Sequence, residues 1–228
     1  MKTQDGADYE HEYARGEKGL RDARRDVKLY SERPYLESVM RRAALIAGIL
    51  ALISSLAAVQ AAPGQTGAFA LTSPDIAQGR KIGPAQIFNS FGCSGQNISP
   101  TLGWSNAPAG TQSFALMVHD PDAPTGSGWW HWVVYNIPAS VNILPAGAGN
   151  PEQHRLPAGA VQGRTDFGSH EYGGPCPPPG KPHHYHFRLY ALKVPKLDVP
   201  ADASAAFIAF NVHANEIGET QIMALYSR

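Results

Sequence analysis

Basic residues are scarce over most of this chain. Residues 62–228 hold nine Lys and Arg against ten Asp and Glu, and the nine lie scattered from Arg80 to Arg228. No basic stripe forms, which excludes the electrostatic footprint of a nucleic-acid partner. No Gly-x-Ser-x-Gly run occurs, so the elbow that presents a hydrolase serine is absent. No internal repeat is visible, and helical periodicity is confined to one late segment. Cysteine is limited to Cys93 and Cys176. In an oxidising compartment two such cysteines are most simply one disulfide, the alternative being two separate buried thiols.

Charge is concentrated instead at the start, where residues 1–42 carry ten Lys and Arg and nine Asp and Glu. After Met40-Arg41-Arg42, Ala43 to Val59 is an uncharged, almost wholly apolar run, and Val59-Gln60-Ala61 has the small-residue form of a cleavage site. A basic start, an apolar centre and a small-residue end predict a signal peptide over 40–61, with an exported domain, periplasmic or secreted, over 62–228. The alternative is a membrane anchor at 43–59, since 17 residues reach the lower limit of a span. Met40 is placed to be an initiator. Residues 1–39 are therefore expected to be a disordered extension from a misassigned start, or the cytoplasmic tail of an anchored protein.

Within 62–228, glycine and proline punctuate short apolar runs as far as about residue 182. Phe114, Leu116 and Val118 alternate in one strand, and His131, Val133, Tyr135 and Ile137 are predicted to share a face of the next. A long Gly/Pro-rich stretch runs from Pro138 to Pro182. The strand His183–Leu192 then puts His183, Tyr185, Phe187, Leu189 and Ala191 on one face, with His184, His186, Arg188 and Tyr190 on the other. One helix is predicted at roughly 203–217, capped by Asp202 or Ser204, with Phe207, Phe210 and Ile217 on related faces and Gly218 as its stop. A short strand over Met223–Tyr226 closes the chain. Many strands with one late helix predict a mostly-β fold, an antiparallel β-sandwich with a C-terminal helix.

The densest chemistry lies in Asp120-Pro121-Asp122-Ala123-Pro124-Thr125-Gly126-Ser127-Gly128-Trp129-Trp130-His131-Trp132. Prolines fix φ and make the acidic corner rigid, while three tryptophans draw the histidine between them out of water. A rigid acid and a shielded imidazole are the parts of a small polar pocket. A carboxylate near an imidazole raises its pKa, and the protonated ring can then donate two hydrogen bonds to an anion.

Several stretches, in order, resemble the phosphatidylethanolamine-binding protein family in its bacterial, Raf-kinase-inhibitor-like branch. They are Asn97-Ile98-Ser99-Pro100 with Trp104, the corner Asp120 to Trp132, Gly173-Gly174-Pro175-Cys176-Pro177-Pro178, and Pro182-His183-His184-Tyr185. The resemblance covers about residues 70–228 and implies the same β-sandwich, with a small cavity for phosphate-like head groups. It assigns Asp120, His131 and His183 to that cavity, with Asp122 in the same corner and Tyr172 from the long loop. Asp120 would repel a phosphate, so it is expected to orient a histidine or to meet an ammonium group. Many relatives carry Arg where this chain has His184, and a neutral imidazole grips anions less firmly than a guanidinium. Strand parity turns His184 away from His183.

The histidines of the run 183–186 fall on opposite strand faces, so no metal site is expected. Catalysis is not expected either, because Ser99, Ser127 and Ser169 have no elbow to present them. The sequence therefore predicts an exported, non-enzymatic binding protein without a cofactor, taking a small anionic ligand such as phosphate or a phospholipid head group. Two alternatives stand beside it: a protease- or kinase-inhibitor-like interaction module with a protein partner, and a hydrolase using the same acid and histidines. Trp129 and Trp130 would serve a dimer contact as readily as a pocket rim.

Overall fold

The computed structural model describes residues 67–228. The expected extension at 1–39 and the signal peptide or anchor at 40–61 lie outside them. Among the described residues, eight strands form two antiparallel sheets. The smaller has the order β1–β2–β5, from Ala70–Thr72, Leu102–Ser105 and Ile143–Leu144. The larger has the order β6–β4–β3–β7–β8, from Val161–Gln162, Trp129–Pro138, Ser113–Asp120, His183–Leu192 and Glu216–Tyr226. An α-helix, α1, spans Ala205–Asn215. The sandwich with a late helix is the predicted fold.

β3 lies in the middle of the larger sheet and is covered on both faces, so it reads as a continuous apolar run rather than a half-polar alternation. Phe114, Leu116 and Val118 pack towards Leu71, Leu102, Trp104 and Leu144 in the core between the sheets. Ala115 and Met117 point the other way and join Ile208 and Val212 of α1 in a second core. Along β7, Tyr185, Phe187, Leu189 and Ala191 all enter the inter-sheet core, as their parity requires.

β4 does not keep the simple alternation expected of it. Its register against β3 slips twice: Val118 pairs with Trp132 and His119 with Trp130, while Phe114 pairs with Ile137 and Leu116 with Val134. Each slip is a bulge that inserts one residue and reverses the facing of the residues beyond it. Val133 and Tyr135 therefore pack on the helix side. Ile137 lies in the inter-sheet core, and His131 packs against Tyr185 there. The four residues do not share a face. Asn136 absorbs the second bulge at φ +57°, a conformation that Asn tolerates better than most residues.

The helix also departs from expectation. Ser204 caps it, its hydroxyl accepting from the Phe207 amide at 3.2 Å, but the buried side is built from Ala205, Ile208, Ala209 and Val212. Small residues let α1 lie close on the sheet, and Phe207 and Phe210 face outward, 48% and 71% exposed. The helix ends at Asn215, and the chain passes directly into an 11-residue β8 that pairs with β7 from Glu216 to Tyr226. The ladder claims the residues that periodicity gave to the helix. Gly218 is not a helix stop; it stands opposite Ala191, where a Cβ would meet Pro108 Cγ at 2.6 Å.

Cys93 and Cys176 are joined, with Cα atoms 6.0 Å apart and a sequence separation of 83. Closing a loop of that size removes ~4 kcal/mol of unfolded-chain entropy in the ideal model. The Cys93→Ala/Cys176→Ala double variant is expected to lose stability of this order in urea unfolding at neutral pH. An unchanged midpoint and slope would show that the bridge contributes nothing.

Candidate functional site

The end of β3, the bulge in β4 and the start of β7 converge on a cavity of about 190 Å³. Drug-sized pockets run to roughly 300–1,000 Å³, so this one suits a small group. Asp120, Thr125, His131, His183 and Tyr185 supply its polar lining. Apolar walls come from Ala123 and Pro124 after β3, Trp129 in β4, Phe167 in the long loop, Pro177 and Pro178 beside the disulfide, and Phe91. Three of the expected site residues, Asp120, His131 and His183, are thus brought together.

His131 is held by a single glycine. Its ring Nδ1–H donates to the Gly173 carbonyl at 2.7 Å, and the Gly173 amide donates to the His131 carbonyl at 2.9 Å. Asn97 brackets that glycine, accepting from the Gly174 amide at 2.7 Å and donating to the Tyr172 carbonyl at 3.1 Å. The Gly-Gly pair is required because the chain runs flush against its neighbours. A Cβ on Gly173 would lie 2.3 Å from the Phe167 ring, and one on Gly174 would lie 2.1 Å from the Gln86 carbonyl. With Nδ1 occupied, Nε2 of His131 has no protein partner among the described residues. Burial drives this imidazole from 6.5 down to about 4, against the opposing pulls of the Gly173 carbonyl and the Asp120 charge. The expectation of a protonated ring donating twice is corrected here. At neutral pH His131 is uncharged, and one of its two hydrogen bonds is already given to Gly173.

Asp120 is buried at the strand end. Its carboxylate accepts His183 Nδ1–H at 2.7 Å and the Asp122 amide at 2.9 Å. It orients His183 and leaves Nε2 of that ring for the cavity. Tyr185, two residues along the same face of β7, is 1% exposed, and its hydroxyl lies near the Asp120 carboxylate but completes no hydrogen bond of good geometry among the described residues. Burial pushes its phenol far above the usual range, and the neighbouring Asp120 charge adds to the shift. An unsatisfied buried hydroxyl is costly, and one that lines a cavity is placed for a ligand.

The other two expected residues lie elsewhere. Asp122 is outside the cavity lining. One of its oxygens accepts both the His184 amide and His184 Nδ1–H, each at 2.7 Å, so it clamps the acidic corner to β7. Burial alone would raise its pKa, but the two bonds from His184 outweigh that and hold it below the ordinary value. His184 faces outward, as parity requires, so the exchange from Arg does not alter the cavity lining. Tyr172 is a buried strut whose hydroxyl donates to the Gln86 carbonyl at 2.9 Å. Ser99, Ser127 and Ser169 are also absent from the lining, and the Ser99 hydroxyl accepts the Gly149 amide at 2.9 Å. Trp129 lines the cavity, while Trp130 packs on the helix side and stacks on His119 with ring centres 4.2 Å apart. No group of three metal-ligating side chains occurs among the described residues.

Sequence reasoning placed Tyr185 on the correct face without giving it a site role, although its two-residue spacing from His183 carried the signal. Phe167 carried none. It sits in an irregular loop and reaches the cavity only through its packing against Trp129 and His131, at ring separations of 5.4 Å each. Arg228 is a further outer support, donating to the Pro177 carbonyl at 2.7 Å and the Phe91 carbonyl at 3.3 Å.

The sequence profile of the phosphatidylethanolamine-binding proteins matches residues 72–227. YbcL of Escherichia coli is 48% identical over 176 residues, covering 77% of this chain and 96% of its own. A protein named as lipoprotein LppC, from Mycobacterium tuberculosis, is 36% identical, covering 68% of this chain and 71% of its own. Among solved structures, E. coli YbcL, described as a member of the mammalian family, superposes with a TM-score of 0.69 at 50% identity, covering 70% of this chain and 98% of that one. A homologue from Chlamydia trachomatis gives 0.59 at 32% identity, covering 71% and 98%.

A buried neutral histidine has a consequence for stability. Between about 4 and 6.5 the unfolded chain binds the proton that folded His131 refuses, so stability is full above 6.5 and falls as pH drops towards 4. At 1.36 kcal/mol per unit the loss amounts to about 3 kcal/mol. His119, half-buried and also shifted down by burial, adds a smaller slope of the same sign. Denaturant unfolding across this window is expected to show the decline in the wild type and a much flatter profile in His131→Phe. Equal slopes in the two proteins would contradict a neutral buried imidazole.

Proposed function

This chain belongs to the phosphatidylethanolamine-binding protein family, and on that premise we propose that it is an exported binding protein whose cavity takes a small phosphate- or phosphoethanolamine-like group. The observation that carries this reading is the convergence of three unfilled polar atoms, Tyr185 Oη, His131 Nε2 and His183 Nε2, on one small cavity with apolar walls. Of these, Tyr185 Oη is a donor as it stands and His183 Nε2 becomes one when that ring carries a second proton, while His131 Nε2 accepts. Asp120 acts through His183, as its orienting acid. Asp122, Asn97 and Gly173 act further out, by fixing the corner and the His131 ring.

Export draws support from three features: the basic-then-apolar segment at 40–61, the Cys93–Cys176 bridge, and the lipoprotein name of the M. tuberculosis relative. A second reading, an inhibitor-like interaction module, is favoured by Phe91. This ring stands 65% exposed on the cavity rim at φ +53°, a conformation with a steric cost for a bulky residue. The hydrolase reading has the Asp120–His183 pair but lacks a free nucleophile in the lining, because the Thr125 hydroxyl is committed to the Gly128 carbonyl.

Titration of the purified protein with phosphoethanolamine, followed by NMR of the histidine rings, tests the proposal. The His131 and His183 signals are expected to move together while those of His154 and His213 stay still. Tyr185→Phe is expected to weaken binding about tenfold or more, in keeping with ~1.5–3 kcal/mol for a hydrogen bond to a charged group. Rings that stay unmoved at millimolar ligand would remove the basis for the reading.

A further inference from the structure

The hydrogen-bonding capacity of the cavity decides which end of a ligand enters it, on the reading that a phosphoethanolamine-like group binds here. A carbonyl oxygen and a carboxylate both only accept. The 2.7 Å contacts of His131 Nδ1 with the Gly173 carbonyl and of His183 Nδ1 with Asp120 therefore hold a proton on each Nδ1. While the rings are neutral, both Nε2 atoms are bare lone pairs. Thr125 adds another acceptor, because its hydroxyl proton is given to the Gly128 carbonyl. Among the Asp, Thr, His and Tyr side chains of the lining, the one proton left free is that of Tyr185, and the Asp120 carboxylate stands beside it.

No Lys or Arg lines the cavity among the described residues, and its formal charge is that of Asp120. The groups that face His131 from packed elements do not change the sign: Asp120 and Asp166 are acids, His119 and His183 are imidazoles, and Tyr185 is a phenol. Around His183, Asp122 is a further acid and Tyr226 stands opposite on β8. Burial keeps His131 uncharged at neutral pH. A phosphate oxygen entering here meets lone pairs and a carboxylate, and finds a second donor only when His183 takes up another proton. A primary ammonium meets the reverse. Its three N–H groups match His131 Nε2, His183 Nε2 and an oxygen of Asp120 or Thr125, and its charge offsets that of Asp120 without any proton moving. The walls suit it too: the Trp129 and Phe167 rings stand at 83° with centres 5.4 Å apart, and a desolvated cation is drawn to an aromatic face within ~6 Å.

We infer that the cavity recognises a primary ammonium, so that the amine end of the ligand enters between the two Nε2 atoms and Asp120 while the phosphate end stays at the mouth. A quaternary ammonium carries the same charge but no N–H. It leaves both lone pairs unpartnered and is discriminated against. The selection resides in the two imidazoles and in the Gly173 carbonyl and Asp120 carboxylate that set their tautomers.

Calorimetry of the purified protein at pH 8.5, where free imidazoles are neutral and alkylamines are still cationic, tests the assignment. Ethanolamine, which has no phosphate, is expected to bind within about tenfold of phosphoethanolamine. Choline, its trimethylated counterpart, is expected to bind at least about tenfold more weakly, in keeping with the loss of hydrogen bonds to a charged group. In nitrogen-15 spectra the Nε2 signals of His131 and His183 are expected to move with ethanolamine. Affinity for ethanolamine is expected to fall as pH is lowered from 8.5 to 5.5, because protons on the imidazoles displace the cation, whereas an oxyanion would bind more tightly. Phosphoethanolamine or inorganic phosphate binding while ethanolamine does not, or choline binding as tightly as ethanolamine, overturns this inference and leaves the reading of the site standing. Failure of ethanolamine, phosphoethanolamine and inorganic phosphate alike to bind overturns both.

Discussion

The hydrogen bond from the His131 ring to the Gly173 carbonyl is the contact on which the cavity depends. It exists because β4 carries one residue more than β3 between Trp130 and Trp132, which swings His131 out of the helix-side core and into the inter-sheet space beside Tyr185. Gly173 can meet it because the chain there lies closer to its surroundings than any side chain would allow. The same bond consumes one ring nitrogen and settles the tautomer. Charge, burial and geometry at the cavity floor all descend from it.

The acidic corner performs a parallel task for the second histidine. Proline keeps Asp120 and Asp122 in a turn that cannot relax into helix or regular strand, and the two carboxylates then act on opposite faces of β7. Asp120 fixes His183 from inside, and Asp122 fixes the backbone and ring of His184 from outside. Two acids two residues apart thus secure one strand from both sides.

Much of this was legible in the sequence, and the gaps have physical causes. Parity along β7 gave the correct face for every residue, because its register against β3 runs unbroken. The same rule failed on β4, since bulges are set by pairing with a neighbour and leave only weak marks in the strand itself, such as Asn136 at positive φ. The helix was overextended because Ile217 suits a helical face as well as a strand, and the contest was decided by a ladder formed with residues some thirty positions away. Motif order singles out Asp120, His131 and His183, which the fold brings to one cavity. Asp122 belongs to the same motifs and Tyr172 adjoins one, but a motif records residues that build a site as well as residues that line it, and one sequence cannot separate the two. The aromatic wall was invisible because Phe167 reaches it from an irregular loop.

The bridge between Cys93 and Cys176 turns residues 93–176 into a covalent ring. Asp120, His131 and Gly173 lie within that ring; His183 and Tyr185 lie beyond it, on the segment that also carries α1 and β8. A single peptide-bond break at the exposed tip near Gly126 would open the ring but leave the chain in one piece. A break between Pro177 and Pro182 would instead part the chain into two molecules, each holding one of the two histidines. The short proline-rich tether is thus the one covalent path between the two halves of the cavity, and its resistance to proteases sets how long the halves stay linked.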